Sequence, residues 1–294
     1  MSTPLRLASR EDLRAWCTHI RQSGGTVGFV PTMGALHAGH RSLARASRER
    51  GLTTLASIFV NPMQFGPNED FDRYPRSLDT DADALEREGV AAIFAPSVEE
   101  MVSAGDRTTV SVRELTQHFC GPFRPGHFDG VSTVVARLFS LVGPCVAFFG
   151  RKDYQQVAVI RRMTTDLAMP IEVVACPTLR DEDGLAMSSR NRYLNPAARH
   201  QALSLARGLH AASEAYHAGE RRADSLVFLA RQEVVSCMDS VDYVALGDAD
   251  SLAPLAGTVL RAPAVLAIAA SLGGTRLIDN IVFGIDPSPI GKHP

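Results

Sequence analysis

Val27-Gly28-Phe29-Val30-Pro31-Thr32-Met33-Gly34-Ala35-Leu36-His37-Ala38-Gly39-His40 runs from an apolar stretch, through a glycine-containing turn, into a segment with two histidines three positions apart. That order reads as a buried strand, a tight turn and the first turn of a helix. Side chains three apart share one face of a helix, so His37 and His40 are expected to point together. The free amides and positive dipole end of a helix N-terminus suit a phosphate chain. The same dipole disfavours imidazolium, so both rings are expected to be neutral hydrogen-bond donors before a nucleotide arrives.

Outward from this stretch, short apolar runs at 27–30, 52–60, 90–94, 146–149 and 171–175 alternate with helical patterns near 36–50, 78–88, 131–141 and 154–167. Strand–helix alternation with near-continuous apolar strands predicts an α/β fold: a Rossmann-like parallel sheet with helices on both faces. Ligands of such sheets bind beyond the carboxyl ends of the strands. The histidine turn, Asn61-Pro62-Met63-Gln64 and Gly150-Arg151-Lys152-Asp153 each follow a strand candidate, which puts all three on one edge. Beyond Cys176-Pro177 the pattern changes. Asn195-Pro196 reads as a helix start, with Leu205, Leu209, Ala212 and Tyr216 on one face of that helix. A second helix near 225–238 and strands near 241–246, 264–271 and 276–283 follow. The expected domains are therefore 1–176, a Rossmann-like nucleotide- and substrate-binding domain, and 177–286, a smaller C-terminal α+β lid. Residues 287–294, rich in Pro and Gly, are expected to be a flexible tail, with fraying expected from 286.

Composition bounds the function. The 294 residues are 45% hydrophobic, enough to bury a large core. A formal net charge of -2 gives no bulk reason to bind nucleic acid. The five cysteines are odd in number and lack Cys-x-x-Cys spacing, which suits reduced thiols better than disulfides or a zinc site. No signal-peptide core is evident, and no uncharged apolar run reaches the roughly 18 residues that a bilayer requires. A cytoplasmic protein without membrane partners is the expectation.

Three further segments carry candidate chemistry. In Met187-Ser188-Ser189-Arg190 the hydroxyls can donate to a triphosphate while Arg190 supplies charge and a fork of N–H groups; closure of this loop on the ligand is expected. In Gly150-Arg151-Lys152-Asp153, Lys152 can neutralise phosphate and Asp153 can accept from ribose hydroxyls. Asn61 and Gln64 offer uncharged amides to a small polar substrate. Against these stand plainer readings: a local Lys152–Asp153 ion pair, methionines as gap-fillers, and His127 of Arg124-Pro125-Gly126-His127-Phe128 as a satisfied loop histidine. No P-loop glycine pattern is present.

Taken together these residues resemble a known family. His37-Ala38-Gly39-His40 resembles the His-x-Gly-His motif, and Met187-Ser188-Ser189-Arg190 is similar to the KMSKS-type loop, of a nucleotidyltransferase superfamily that includes class I aminoacyl-tRNA synthetases. Across about residues 26–280 the chain resembles the pantothenate synthetase (pantoate–β-alanine ligase) family, in blocks at 31–40, 57–65, 74–76, 124–130, 149–156, 184–193 and 277–280. The resemblance implies that ATP with Mg²⁺ activates pantoate as an adenylate, which β-alanine then attacks to give pantothenate and AMP. It implies His40 as the proton donor to the developing phosphate charge, with His37, Lys152 and Arg190 also catalytic. The turn residues Met33, Gly34, Ala35, Leu36, Ala38 and Gly39, together with Gly150, Arg151, Asp153, Leu179, Met187, Ser188 and Ser189, complete the implied ATP site. Gln64 and Gln156 match pantoate-holding positions, Gln64 also facing β-alanine. Arg151 stands where the family often has Glu. The acidic run Asp79-Thr80-Asp81-Ala82-Asp83 leaves open which carboxylate approaches the metal. The family also implies a homodimer.

Overall fold

The computed structural model describes residues 3–291 apart from Asn68 and Ala262. The chain forms two compact units, one of residues 1–113, 124–151 and 156–176, the other of 114–123, 152–155 and 177–294.

The first unit is built from β1 (Leu5–Leu7), α1 (Arg10–Gln22), β2 (Val27–Thr32), α2 (Ala38–Glu49), β3 (Thr53–Ile58), α3 (Leu78–Arg87), β4 (Ala92–Phe94), α4 (Val98–Met101), α5 (His127–Val142), β5 (Cys145–Gly150), α6 (Tyr154–Asp166) from Gln156 onward, and β6 (Ile171–Cys176). The strands form one sheet in the order β1-β4-β3-β2-β5-β6, and every pairing is parallel. The α/β expectation holds, with three elements absent from the sequence reading: β1, α1 and the four-residue α4. Strand β1 is three residues long with Leu5 and Arg6 exposed, and α1 buries only Leu13 and Cys17, so neither shows a strong apolar pattern. Val30, Ala56, Ile93 and Phe148 of the sheet pack with Leu43 and Ala44 of α2 and Ala82 and Leu85 of α3. From β2 the chain proceeds to β3 and β4 on one side of the sheet, whereas β5 and β6 lie on the other. The carboxyl ends of β3, β2 and β5 are therefore neighbours at the point where strand order reverses, the position where open parallel sheets bind ligands.

The second unit contains α7 (Pro196–His217), α8 (Ala223–Val235), β7 (Ser240–Asp248), β8 (Ala264–Leu272) and β9 (Thr275–Phe283). Asn195 caps α7 by accepting from the Ala198 amide at 2.8 Å, and Pro196 occupies the first helical position. The three strands form an antiparallel meander. Its apolar residues, including Val244, Leu266, Ile268 and Ile281, bury against Leu205 and Leu209 of α7 and Leu226 and Val234 of α8. The segment 114–123 belongs to this unit. Gln155 Nε2 donates to the Leu115 and His118 carbonyls at 2.8 and 2.7 Å, and Cys120 Sγ lies 3.0 Å from the Tyr243 hydroxyl. Burial pushes the Tyr243 phenol well above its ordinary value, with Cys120 adding to the shift.

Part of the segment expected to fray is held in place. Asp286 Oδ2 accepts from the Val282 amide at 2.9 Å, Ser288 Oγ lies 2.6 Å from His210 Nδ1, and Pro289 and Ile290 sit close to Gly184. Residues 292–294 lie outside the described residues. Among the described residues no helix is long and apolar enough to cross a membrane.

Candidate active site

On the first unit, the chain leaves β2 at Thr32 and turns through Gly34 and Ala35, at φ of 81° and 52°, before α2 begins. A left-handed alanine is strained. Asp81, buried near the start of α3, offsets the strain: its oxygens accept from the Ala35 and Leu36 amides at 2.9 and 2.8 Å. His37 is the N-cap of α2. Its Nδ1 accepts from the Gly39 amide at 3.1 Å, and His40 Nδ1 reaches back to the His37 amide at 3.4 Å. The two rings lie 4.1 Å apart at an interplanar angle of 40°. A ring nitrogen that accepts from an amide carries no proton, so both imidazoles hold theirs on Nε2. The geometry therefore agrees with the expectation of two neutral donors.

The loop after β3 meets this turn. Asn61 caps the 3-10 turn Pro62–Gln64 by accepting from the Met63 amide at 3.1 Å, and its Nδ2 donates to Gln64 Oε1 at 3.1 Å. Gln64 Nε2 lies 2.8 Å from Met33 Sδ, so a residue of the histidine turn and the amide after β3 adjoin. Gly150 ends β5, and Gln156 is half-buried in the first turn of α6. Neither packing nor φ explains Gly150, because a Cβ there would meet nothing within 4 Å.

Arg151, half-buried, ends the first unit's segment 124–151, and the second unit carries Lys152, Asp153, Leu179 and Met187–Arg190. Lys152 and Arg190 are half-buried, Asp153 is exposed, and Leu179 is 40% exposed. Arg180 and Ala186 form an isolated antiparallel bridge, and the Met187 amide donates to the Leu179 carbonyl at 3.0 Å. Leu179 and Met187 are thereby brought together. Ser188 Oγ accepts from the Arg190 amide at 3.3 Å, so that hydroxyl oxygen also organises its own loop. Beneath the loop Arg180 forms a bidentate pair with Asp279 of β9, at 2.7 and 2.9 Å, with both side chains buried. Burial opposes the Arg180 charge, but Asp279 overrides that effect and raises its pKa. The next residue, Asn280, donates to the Lys152 carbonyl at 2.7 Å.

Sequence reasoning assigned no such roles to Asp81, Asp279 and Asn280. Asp279 and Asn280 were visible only as part of a matching block, and Asp81 only as one of three candidate metal carboxylates. In the structure Asp81 is engaged by two amides, and Asp79 pairs with Arg6 at 2.8 Å. Among the described residues no group of three or more His, Cys, Asp or Glu side chains is placed to hold a metal ion.

Residues 6–282 match the family described as pantoate-beta-alanine ligase. Relatives named pantothenate synthetase include one from Moorella thermoacetica, 52% identical over 93% of this chain and 96% of that protein. Pantothenate synthetase 1 of Bradyrhizobium diazoefficiens is 52% identical over 94% of this chain and 97% of its own length. Among solved structures, pantothenate synthetase from Thermus thermophilus superposes with a TM-score of 0.89 at 43% identity, covering 98% of this chain and all of that one. The Francisella tularensis pantoate-beta-alanine ligase complexed with beta-gamma ATP and beta-alanine gives a TM-score of 0.76 at 29% identity, over 95% and 97% of the two chains.

Proposed function

Since the chain belongs to the pantoate–β-alanine ligase family, we propose the following assignment of its residues to the two half-reactions. The enzyme condenses pantoate with β-alanine at the expense of ATP, through a bound pantoyl adenylate. In the first half-reaction a pantoate carboxylate oxygen attacks the α-phosphorus, and the bond to pyrophosphate breaks. The attack brings like charges together, so catalysis is mainly positioning and charge stabilisation. The observation that carries the assignment is the pair of rings at the start of α2, each with Nδ1 facing a backbone amide, which leaves Nε2 to carry the proton. His40, with His37 beside it, donates to the phosphate oxygens where negative charge builds.

Lys152, Ser188, Ser189 and Arg190 hold the phosphates, and Asp153 accepts from the ribose. Met33, Gly34, Ala35, Leu36, Ala38, Gly39, Gly150, Arg151, Leu179 and Met187 complete the ATP contacts. The open space over Gly150 supports backbone approach by a ligand. Gln64 and Gln156 bind pantoate through neutral amides that leave the carboxylate nucleophilic, and Gln64 also faces β-alanine. In the second half-reaction the β-alanine amine attacks the acyl carbon, and AMP leaves with the bonding electron pair. Mg²⁺ accompanies ATP in this reading. Such an ion is held largely by phosphate oxygens and water, which suits a donor set in which Asp81 is already engaged. The division of labour gives nucleotide and substrate binding to residues 1–176 and the role of a lid to 177–286. A homodimer in the cytoplasm completes the proposal, and the unbridged cysteines suit that compartment.

The test measures AMP and pyrophosphate with ATP, Mg²⁺ and pantoate, with and without β-alanine. Sustained AMP release only with β-alanine, with pantothenate confirmed by mass, is expected. Folded protein that binds ATP yet releases neither product in either tube would overturn the assignment.

A further inference from the structure

The motif Arg124-Pro125-Gly126-His127-Phe128-Asp129-Gly130 has no part in the assignments above, yet its polar groups converge on one atom of the substrate loop. His127 Nδ1 lies 2.8 Å from the Gln64 carbonyl oxygen, and Arg124 Nη2 donates to the same oxygen at 3.2 Å. Arg124 Nη1 sits 2.9 Å from His127 Nε2. A guanidinium only donates, so Nε2 accepts and the imidazole proton is on Nδ1, directed at the Gln64 carbonyl. Glu69 fixes the guanidinium from its far side, accepting from Nε at 2.7 Å and from Nη2 at 2.5 Å. Burial works to raise the Glu69 carboxyl, but Arg124 overrides it and holds the group below its ordinary range.

The other end of the motif grips the same loop. A Cβ on Gly130 would lie 2.2 Å from the Met63 carbonyl oxygen, so only glycine admits this approach. Asn61 Nδ2 then donates at 3.1 Å both to the Gly130 carbonyl and to Gln64 Oε1.

We propose that Glu69, Arg124 and His127 are positioning residues that clamp the Gln64 carbonyl to the first turn of α5 and so preorganise its side-chain amide for pantoate. This inference rests on the reading of Gln64 as a pantoate-binding residue. Holding the backbone of residue 64 before binding removes the cost of ordering it when pantoate arrives, while Asn61 Nδ2 orients the side-chain amide through Oε1.

The test is a kinetic double-mutant cycle on the full chain. His127→Ala is expected to raise the KM for pantoate about tenfold, the scale of one lost hydrogen bond to a positioned group. The KM for ATP should stay within about twofold of its starting value, the usual tolerance for independent sites. His127→Asn places an amide N–H where the ring Nδ1–H was and should recover most of the loss. In a Gln64→Ala background His127→Ala should add less than about twofold, because its effect runs through Gln64. A full additive loss in that background, an equal rise in both KM values, or Asn no better than Ala overturns the clamp. Gln64→Ala with an unchanged pantoate KM overturns the substrate reading itself and the clamp's role with it, a result distinct from additivity. If His127→Ala does not fold, Glu69→Gln takes its place in the cycle.

Discussion

At residue scale the site begins with an energetic conflict. Gly34 and Ala35 both occupy the left-handed region, which costs an alanine about 1–2 kcal/mol. Hydrogen bonds to a charged acceptor contribute about 1.5–3 kcal/mol each, so the two amide bonds to Asp81 suffice to hold the turn. That turn sets the entry of α2 and with it the direction of His37 and His40. Asp81→Asn keeps the shape but presents one amide donor to a backbone donor. It should lower stability by about 1–3 kcal/mol, read by denaturant unfolding, and cut kcat by about tenfold or more, since misplaced groups lose transition-state contacts. An unchanged kcat would separate the turn geometry from the chemistry. The sequence shows the glycine and both histidines of this turn. It does not show Asp81 as their anchor, because the acidic residue lies 46 and 45 positions from the amides it binds.

At the scale of elements, β9 does more than close a sheet. Asp279 sits in the middle of the strand, 3% exposed, and its partner Arg180 lies 99 positions earlier. The pair secures the base of the 180–190 loop, and Asn280 beside it secures Lys152 through its carbonyl. Removing one partner of a buried ion pair leaves a charge without compensation, at a cost of about 3–5 kcal/mol. Asp279→Ala is therefore expected to destabilise the second unit by that amount in chemical unfolding. Amide exchange at 180–191 should rise along with it, and unchanged exchange there would show that the pair does not hold the loop. Helix α5 teaches a related lesson. Its apolar periodicity predicts a start near 131, whereas the helix starts at His127, after Gly126 at φ 78° with no side-chain cap. In that extra turn His127 Nδ1 meets the Gln64 carbonyl, a tertiary contact with no local sequence signal.

For the whole molecule, cysteine placement is the most accessible check. Cys17, Cys120, Cys145 and Cys176 are buried, and Cys237 is partly accessible. Burial pushes the Cys17 thiol up to about 11 and the Cys145 thiol up to about 12, in each case against a smaller opposing effect of Arg21. Both stay protonated at pH 8, and only the thiolate is nucleophilic. Iodoacetamide at pH 8 should therefore modify Cys237 in the native protein and reach Cys17 and Cys145 only after denaturation, as mapped by mass spectrometry. Native labelling of Cys145 would contradict the core described for the first unit.

The amino-acid sequence alone determined the alternation of strands and helices, the α+β character of the C-terminal region, and the turn that carries two histidines into a helix. Those features are local: apolar periodicity, glycine, a proline after a capping asparagine, and residues a few positions apart. Tertiary structure alone decided which polar groups anchor the backbone of the candidate site. Asp81 turned out to hold a backbone turn, and His127 to hold the Gln64 carbonyl. Asp279 neutralises a buried arginine. Each of these is a polar residue whose partner is tens of positions away. The free energy of such a contact depends on burial and on distances of a few ångströms, which only the folded chain defines.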